Sequence, residues 1–163
     1  MPDNIHLIIH NTAAIIATLA LVYLILFLLF NNFRKSVNIT LALTALAYIV
    51  FLISHVWGVS VSDPYLSRNI LMWNLSVIFI SIFNFHCVMS ALNRGKEKLG
   101  MIIFVYTIGI GLTLFYILFP DTFILPSESK MYFPNYYVPG QFHWIMRVIF
   151  QIIIPIYFVN ELI

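Results

Sequence analysis

His143, Arg147 and Gln151 recur at i, i+4 and i+8 near the C-terminus. On a helix, that spacing confines them to about 80° of surface. His6 and His10 are also four residues apart, which places both rings on one helical face, as a metal site requires. His55, Trp57, Trp73 and Trp144 lie near the ends of long apolar runs. Together, His55, Trp57, Trp73, His143, Trp144, Arg147 and Gln151 form a candidate binding set. A mostly apolar pocket with a few convergent polar groups suits a small ligand. Arg147 and a protonatable histidine favour an anionic or hydrogen-bonding head group. His6, His10, His55 and His143 are the alternative, a metal or haem site. No carboxylate or thiol is placed as a third ligand, so no metal and no cofactor is expected. No Ser/His/Asp set, P-loop, Cys-x₂-Cys or pair of mid-membrane carboxylates is present. The chain therefore reads as non-enzymatic, with no catalytic residue.

These side chains must be positioned by elements that are themselves apolar. Of the 163 residues, 62% are hydrophobic and only 9% charged. The mean hydropathy is +0.98. Soluble domains are typically near half apolar and a quarter charged. This composition excludes soluble enzymes and disordered tails, and a net charge of +2 argues against nucleic-acid binding. The apolar runs are continuous rather than alternating, which favours helices over an outer-membrane barrel. The expected architecture is all-α, a single polytopic domain with five transmembrane helices at about 8–30, 37–59, 70–92, 99–119 and 141–163. The first carries almost nothing polar and should be the most lipid-exposed. Gly109 and Gly111 of the fourth would allow close helix approach. Trp57, Trp73 and Trp144 also fit an interfacial aromatic belt.

The basic residues alternate between the links. Arg34 and Lys35 lie in the first link and Arg94, Lys96 and Lys98 in the third, five in all, against Arg68 and Lys130 in the other two. Basic links stay in the cytoplasm, so the N-terminus is expected outside and the C-terminus inside. Arg68 is expected in a solvated link, whereas Arg147, two turns inside the fifth span, needs a partner within the bundle. Glu161 falls on the Arg147 stripe unless Pro155 rotates it away. The Pro120–Gly140 link holds four prolines and five aromatic residues. It is expected to lie against the outer mouth of the bundle, as a lid over a pocket shared by spans two, three and five.

Two stretches carry a resemblance. One runs from Ile39-Thr-Leu-Ala-Leu-Thr-Ala-Leu-Ala-Tyr-Ile-Val50 through His55-Val-Trp57 to Phe83-Asn-Phe-His-Cys-Val88. The other is Pro120-Asp-Thr-Phe-Ile-Leu125 followed by Tyr137-Val-Pro-Gly-Gln-Phe-His143. In these stretches the chain resembles the N-terminal seven-helix membrane region of bacterial histidine kinases. That resemblance implies a sensory input module of the bacterial inner membrane. The family has seven helices and an output domain. Five helices and the apolar end Phe158-Val-Asn-Glu-Leu-Ile163 suggest part of a longer chain. The expected partners are the lipid bilayer, a small-molecule or lipid-like ligand, and a second copy in a homodimer. The competing roles are a small transporter or a haem- or metal-binding redox subunit using the histidines, and an accessory subunit of a larger membrane complex.

Overall fold

The computed structural model describes residues 3–31 and 35–162. Arg34 of the first basic link and Ile163 lie outside the described residues. Five helices are long and apolar enough to cross a membrane: Ile5–Phe30, Ser36–Ser60, Pro64–Ala91, Leu99–Leu118 and His143–Glu161. A helix is the natural form for such runs, because hydrocarbon offers no partner to a bare N–H or C=O. Between the fourth and fifth spans lie a single helical turn, Pro120–Phe123, and an antiparallel hairpin of β1 (Ile124–Lys130) and β2 (Phe133–Pro139).

The third span begins earlier than its apolar run suggests. Asp63 Oδ1 accepts from the backbone N–H groups of Tyr65 and Leu66, each at 2.8 Å, and Pro64 sits in the first turn. A capping carboxylate followed by proline starts a helix even in a polar stretch. The expected link Ser60–Asn69 is therefore largely helical. The span tightens to a 3₁₀ turn at Met72–Leu75 and ends at Asn93, whose φ of 58° lets Arg94 N–H reach Met89 O at 2.9 Å.

This helix is the axis of the fold. Leu71, Leu75, Ile78, Ile82, Phe85 and Met89 step by four and three residues along it, and all are buried. Such a 3.5-residue repeat keeps one seam turned toward neighbouring helices. Val59 of the second span, Ile102, Val105 and Tyr116 of the fourth, and Phe150 and Ile154 of the fifth belong to the same core. A Cβ on Gly109 would stand 2.2 Å from Ile82 Cδ1, so that glycine lets the fourth span close on the third. Gly111 meets nothing and has no such role. The first span is the least buried, with 11% of its apolar window inside, and packs against the second.

Pro155 shapes the fifth span. Arg147–Ile153 forms wide π-helical turns, and Ile154 N–H bonds Ile149 O, passing over Phe150 O. The next residue is Pro155, which has no N–H to give. Phe150 O is thus left without a donor from its own helix. Ser81 of the third span supplies one, with its Oγ 2.6 Å away. At the far end of the helix Glu161 does not meet Arg147. It pairs instead with Arg94 and with Lys98 Nζ, the latter at 2.8 Å. Arg94 also hydrogen-bonds Glu97, which holds that carboxyl below its ordinary pKa.

Ser81→Ala should cost about 0.5–2 kcal/mol, the range for losing one buried hydrogen bond between helices. In a Pro155→Ala background the cost should shrink, since the substituted residue regains a backbone N–H that can donate to Phe150 O. Equilibrium unfolding of the four proteins in a double-mutant cycle checks this. Equal costs in both backgrounds would refute the pairing.

Candidate functional site

The hairpin is docked onto the ends of the second, third and fifth spans by side chains that satisfy specific backbone groups. Asn135 Nδ2 donates to Val61 O at 2.6 Å. Ser67 Oγ donates to Gly58 O at 2.7 Å and lies 2.9 Å from Ser127 Oγ of β1. Arg68 Nε donates to Ile124 O at 3.0 Å, and its guanidinium pairs with Asp121. Arg68 is therefore no solvated link residue: it sits in the third span with a largely buried side chain and anchors the hairpin. At the hairpin's exit Gly140 N–H bonds Phe123 O at 2.8 Å, and Phe142 N–H bonds Thr122 O at 2.9 Å. A Cβ on Gly140 would lie 2.3 Å from Asp121 O, so only glycine allows the two segments to close here.

Beneath this roof lies a cavity of about 310 Å³. The second and fifth spans both pack on the third, which forms the cavity floor with Asn74 and Val77. His55 and Phe51 line one wall, and His143, Met146, Arg147 and Gln151 the other. Phe123, Ile124, Tyr136 and Tyr137 form the cover. Arg147 and Gln151 are exposed, so the cavity opens along the flank of the fifth span. The cavity shares Phe51, Val77 and Gln151 with a deeper one of about 260 Å³.

Each polar group is oriented by its surroundings. His143 is buried, with its ring stacked between Phe123 (4.9 Å) and Tyr137 (5.6 Å). Its Nδ1 lies 3.1 Å from Phe123 O. A carbonyl only accepts, so Nδ1 carries the proton and Nε2 is left with its lone pair. Arg147 Nη2 donates to Tyr137 Oη, and the guanidinium lies 5.9 Å from that ring's centroid. Arg147 is thus committed to the hairpin at the cavity mouth rather than buried inside the bundle. Asn74 Oδ1 accepts from Ser54 Oγ at 2.8 Å. His55 stacks on Phe51 and meets the edges of His10 (5.4 Å) and Tyr136 (6.0 Å). Its Nδ1 is buried with no hydrogen-bond partner. Burial raises the Tyr136 phenol above its ordinary pKa, so it is a neutral hydroxyl.

Of the seven candidate residues, His55, His143, Arg147 and Gln151 share this cavity. Trp57, Trp73 and Trp144 are exposed and lie outside it. Trp73 instead lines a separate apolar cavity of about 440 Å³ beside Leu46, Val50 and Phe79. The four histidines of the metal alternative do not converge. His6 stacks on Tyr132 at 5.0 Å, and His10 meets Phe133 and His55. Among the described residues no three His, Cys, Asp or Glu side chains could hold a metal ion. Sequence reasoning did not name Phe51, Phe123, Tyr136 and Tyr137 as site residues, although the last three lie in the link expected to form the lid. The last three depend on a hairpin that turns at Met131 (φ 54°) and has irregular register. Nothing in the local pattern marks that geometry.

Arg68→Leu strands Ile124 O and releases the exposed Asp121 carboxylate to solvent, whereas Arg147→Leu removes one bond to Tyr137. We expect Arg68→Leu to cost about 1–3 kcal/mol. It should also raise hydrogen exchange across Ile124–Pro139 more than Arg147→Leu does. The reverse order would show that the hairpin hangs on the fifth span. No protein-family model matches this chain, and no curated protein or solved structure shows significant similarity to it, so geometry alone carries its functional interpretation.

Proposed function

We propose that the chain is a sensory input module of a bacterial inner membrane, in which occupation of the hairpin-covered cavity is carried along the fifth span to the opposite end of the bundle. The observation that supports this is the span's double attachment. Its first turns put His143, Arg147 and Gln151 into the cavity. Its last turn puts Glu161 onto Arg94 and Lys98, the link between the third and fourth spans. The wide turns at Arg147–Ile153 carry Arg147 and Gln151 of the first attachment and lead into the Pro155 segment that carries the second, and π-helical stretches of this kind recur at functional sites. The excess of Lys and Arg at the Glu161 end supports a cytoplasmic position for that end and an outer one for the hairpin. The module acts by a change of shape, with no chemistry of its own.

The test uses a substitution that imitates an occupied cavity. Val77→Trp places a large ring on the floor between His55 and Gln151. Spin labels replacing the exposed Lys96 and Asn160 then report the distance between the basic link and the end of the fifth span. We expect the distribution to shift by a few ångströms or to broaden relative to the parent, as a biased two-state element would. An unchanged distribution in a folded variant would sink the sensory reading and leave an accessory subunit that only packs.

A further inference from the structure

Two cations lie within the five spans, Arg68 and Arg147. They are treated very differently. Arg68 has the Asp121 carboxylate. Arg147 has a neutral phenol and an aromatic face, and no ion pair among the described residues. The described carboxylates are committed elsewhere. Asp121 serves Arg68, while Glu97 and Glu161 serve Arg94 and Lys98. Asp63 caps the third span. Glu128 is exposed on β1. No Asp or Glu lines the cavity. A guanidinium stays charged at every physiological pH, and a charge at the border of hydrocarbon is costly without a counter-charge.

The neighbouring groups are also donors in want of acceptors. Gln151 Nε2 meets Met146 Sδ at 3.9 Å, a weak acceptor. Tyr137 Oη accepts from Arg147 and keeps its own proton to give. His55 Nδ1, a donor or an acceptor according to the tautomer, is buried and unpartnered. The apolar side chains Phe51, Val77 and Met146 also line the cavity, and Phe51 and Val77 separate it from the second cavity of about 260 Å³. Resting on the reading of this cavity as the sensory site, we propose that it takes the oxyanion head, carboxylate or phosphate, of an amphiphile. The head sits on Arg147 with Gln151 and Tyr137, and the apolar tail runs past Phe51 and Val77. The same chemistry is offered by a free fatty-acid-like molecule and by an anionic phospholipid, and the flank opening admits either.

The experiment uses the full chain in nanodiscs of phosphatidylcholine. Octanoate, octanol and octylammonium are titrated by calorimetry. Octanoate should bind at least about tenfold more tightly than the other two, the discrimination that one charge-assisted contact supplies. Arg147→Gln should lose that preference, Arg147→Lys should keep it within a few-fold, and Lys96→Gln should not change it. In a second arm, discs containing phosphatidylglycerol are analysed by native mass spectrometry. If the natural anion is a lipid, phosphatidylglycerol is retained in an Arg147-dependent way and blocks octanoate. If it is a free amphiphile, octanoate binds unhindered. Either result supports the proposal. Equal binding of octanoate and octanol, insensitive to Arg147→Gln, would overturn it while leaving the cavity a ligand site. Loss of both ligands in Val77→Trp would confirm that they occupy this cavity. If none of the three binds and no lipid is retained through Arg147, the proposal is overturned. The spin-label distances then decide separately whether the sensory reading survives.

Discussion

A single carbonyl governs the arrangement of the fifth span. Pro155 cannot donate to Phe150 O, and Ile154 N–H is already given to Ile149 O. In water the stranded carbonyl would be hydrated, but at membrane depth it must find a donor in the protein. Ser81 of the third span provides it. That contact fixes how closely the two helices approach and at what rotation. The wide turns on the N-terminal side of the proline keep residues spaced by four on one face. This is why His143, Arg147 and Gln151 still line the same wall. On the C-terminal side the helix runs on to the other end of the bundle, where Glu161 meets the basic link.

The rest of the fold supports this geometry from two directions. The buried seam of the third span, from Leu71 to Met89, holds the second, fourth and fifth spans to a common axis. Because the second and fifth spans both lean on that axis, a cleft remains between them, floored by Asn74 and Val77. The hairpin closes the top of the cleft by satisfying the backbone where helices end. Asn135 takes Val61 O and Arg68 takes Ile124 O. Gly140 lets the chain double back on the Pro120–Phe123 turn without a steric clash. Packing, hydrogen bonding and backbone clearance thus all act on the same end of the molecule.

The two intramembrane arginines show how the same side chain serves structure in one place and is left available in another. Arg68 has its charge neutralised by Asp121 and a carbonyl for its Nε, so its interactions are complete. Arg147 reaches a phenol, which orients it without neutralising it. An arginine kept ordered and unneutralised beside a cavity of mixed lining is preorganised for an anion. Its neighbours His143 and Tyr137 are themselves fixed by stacking, so little freedom is lost when a ligand arrives.

Helix number, approximate limits and the low burial of the first span are legible in the sequence, because long apolar runs have one way to satisfy their backbone in a membrane. The four-residue spacing of His143, Arg147 and Gln151 also carries through to the structure, because it is a local property of one helix. Sequence position wrongly assigns the tryptophans to the pocket. Being near the same end of the bundle says nothing about which way a side chain faces, and that is decided by helix rotation. It misjudges the two arginines for a related reason. Distance along the chain from an apolar run marks neither the Asp63 cap that draws Arg68 into a helix nor the distant Asp121 that pairs with it. The covering position of the Pro120–Gly140 link is expected from its prolines and aromatics, but its folding as a hairpin, the turn at Met131 and the choice of Tyr136 and Tyr137 to line the cavity come only from tertiary structure. Short strands at a bundle's mouth are stabilised by what they dock against, and those partners, Val61, Ser67 and Arg68, lie about sixty or seventy residues earlier in the chain.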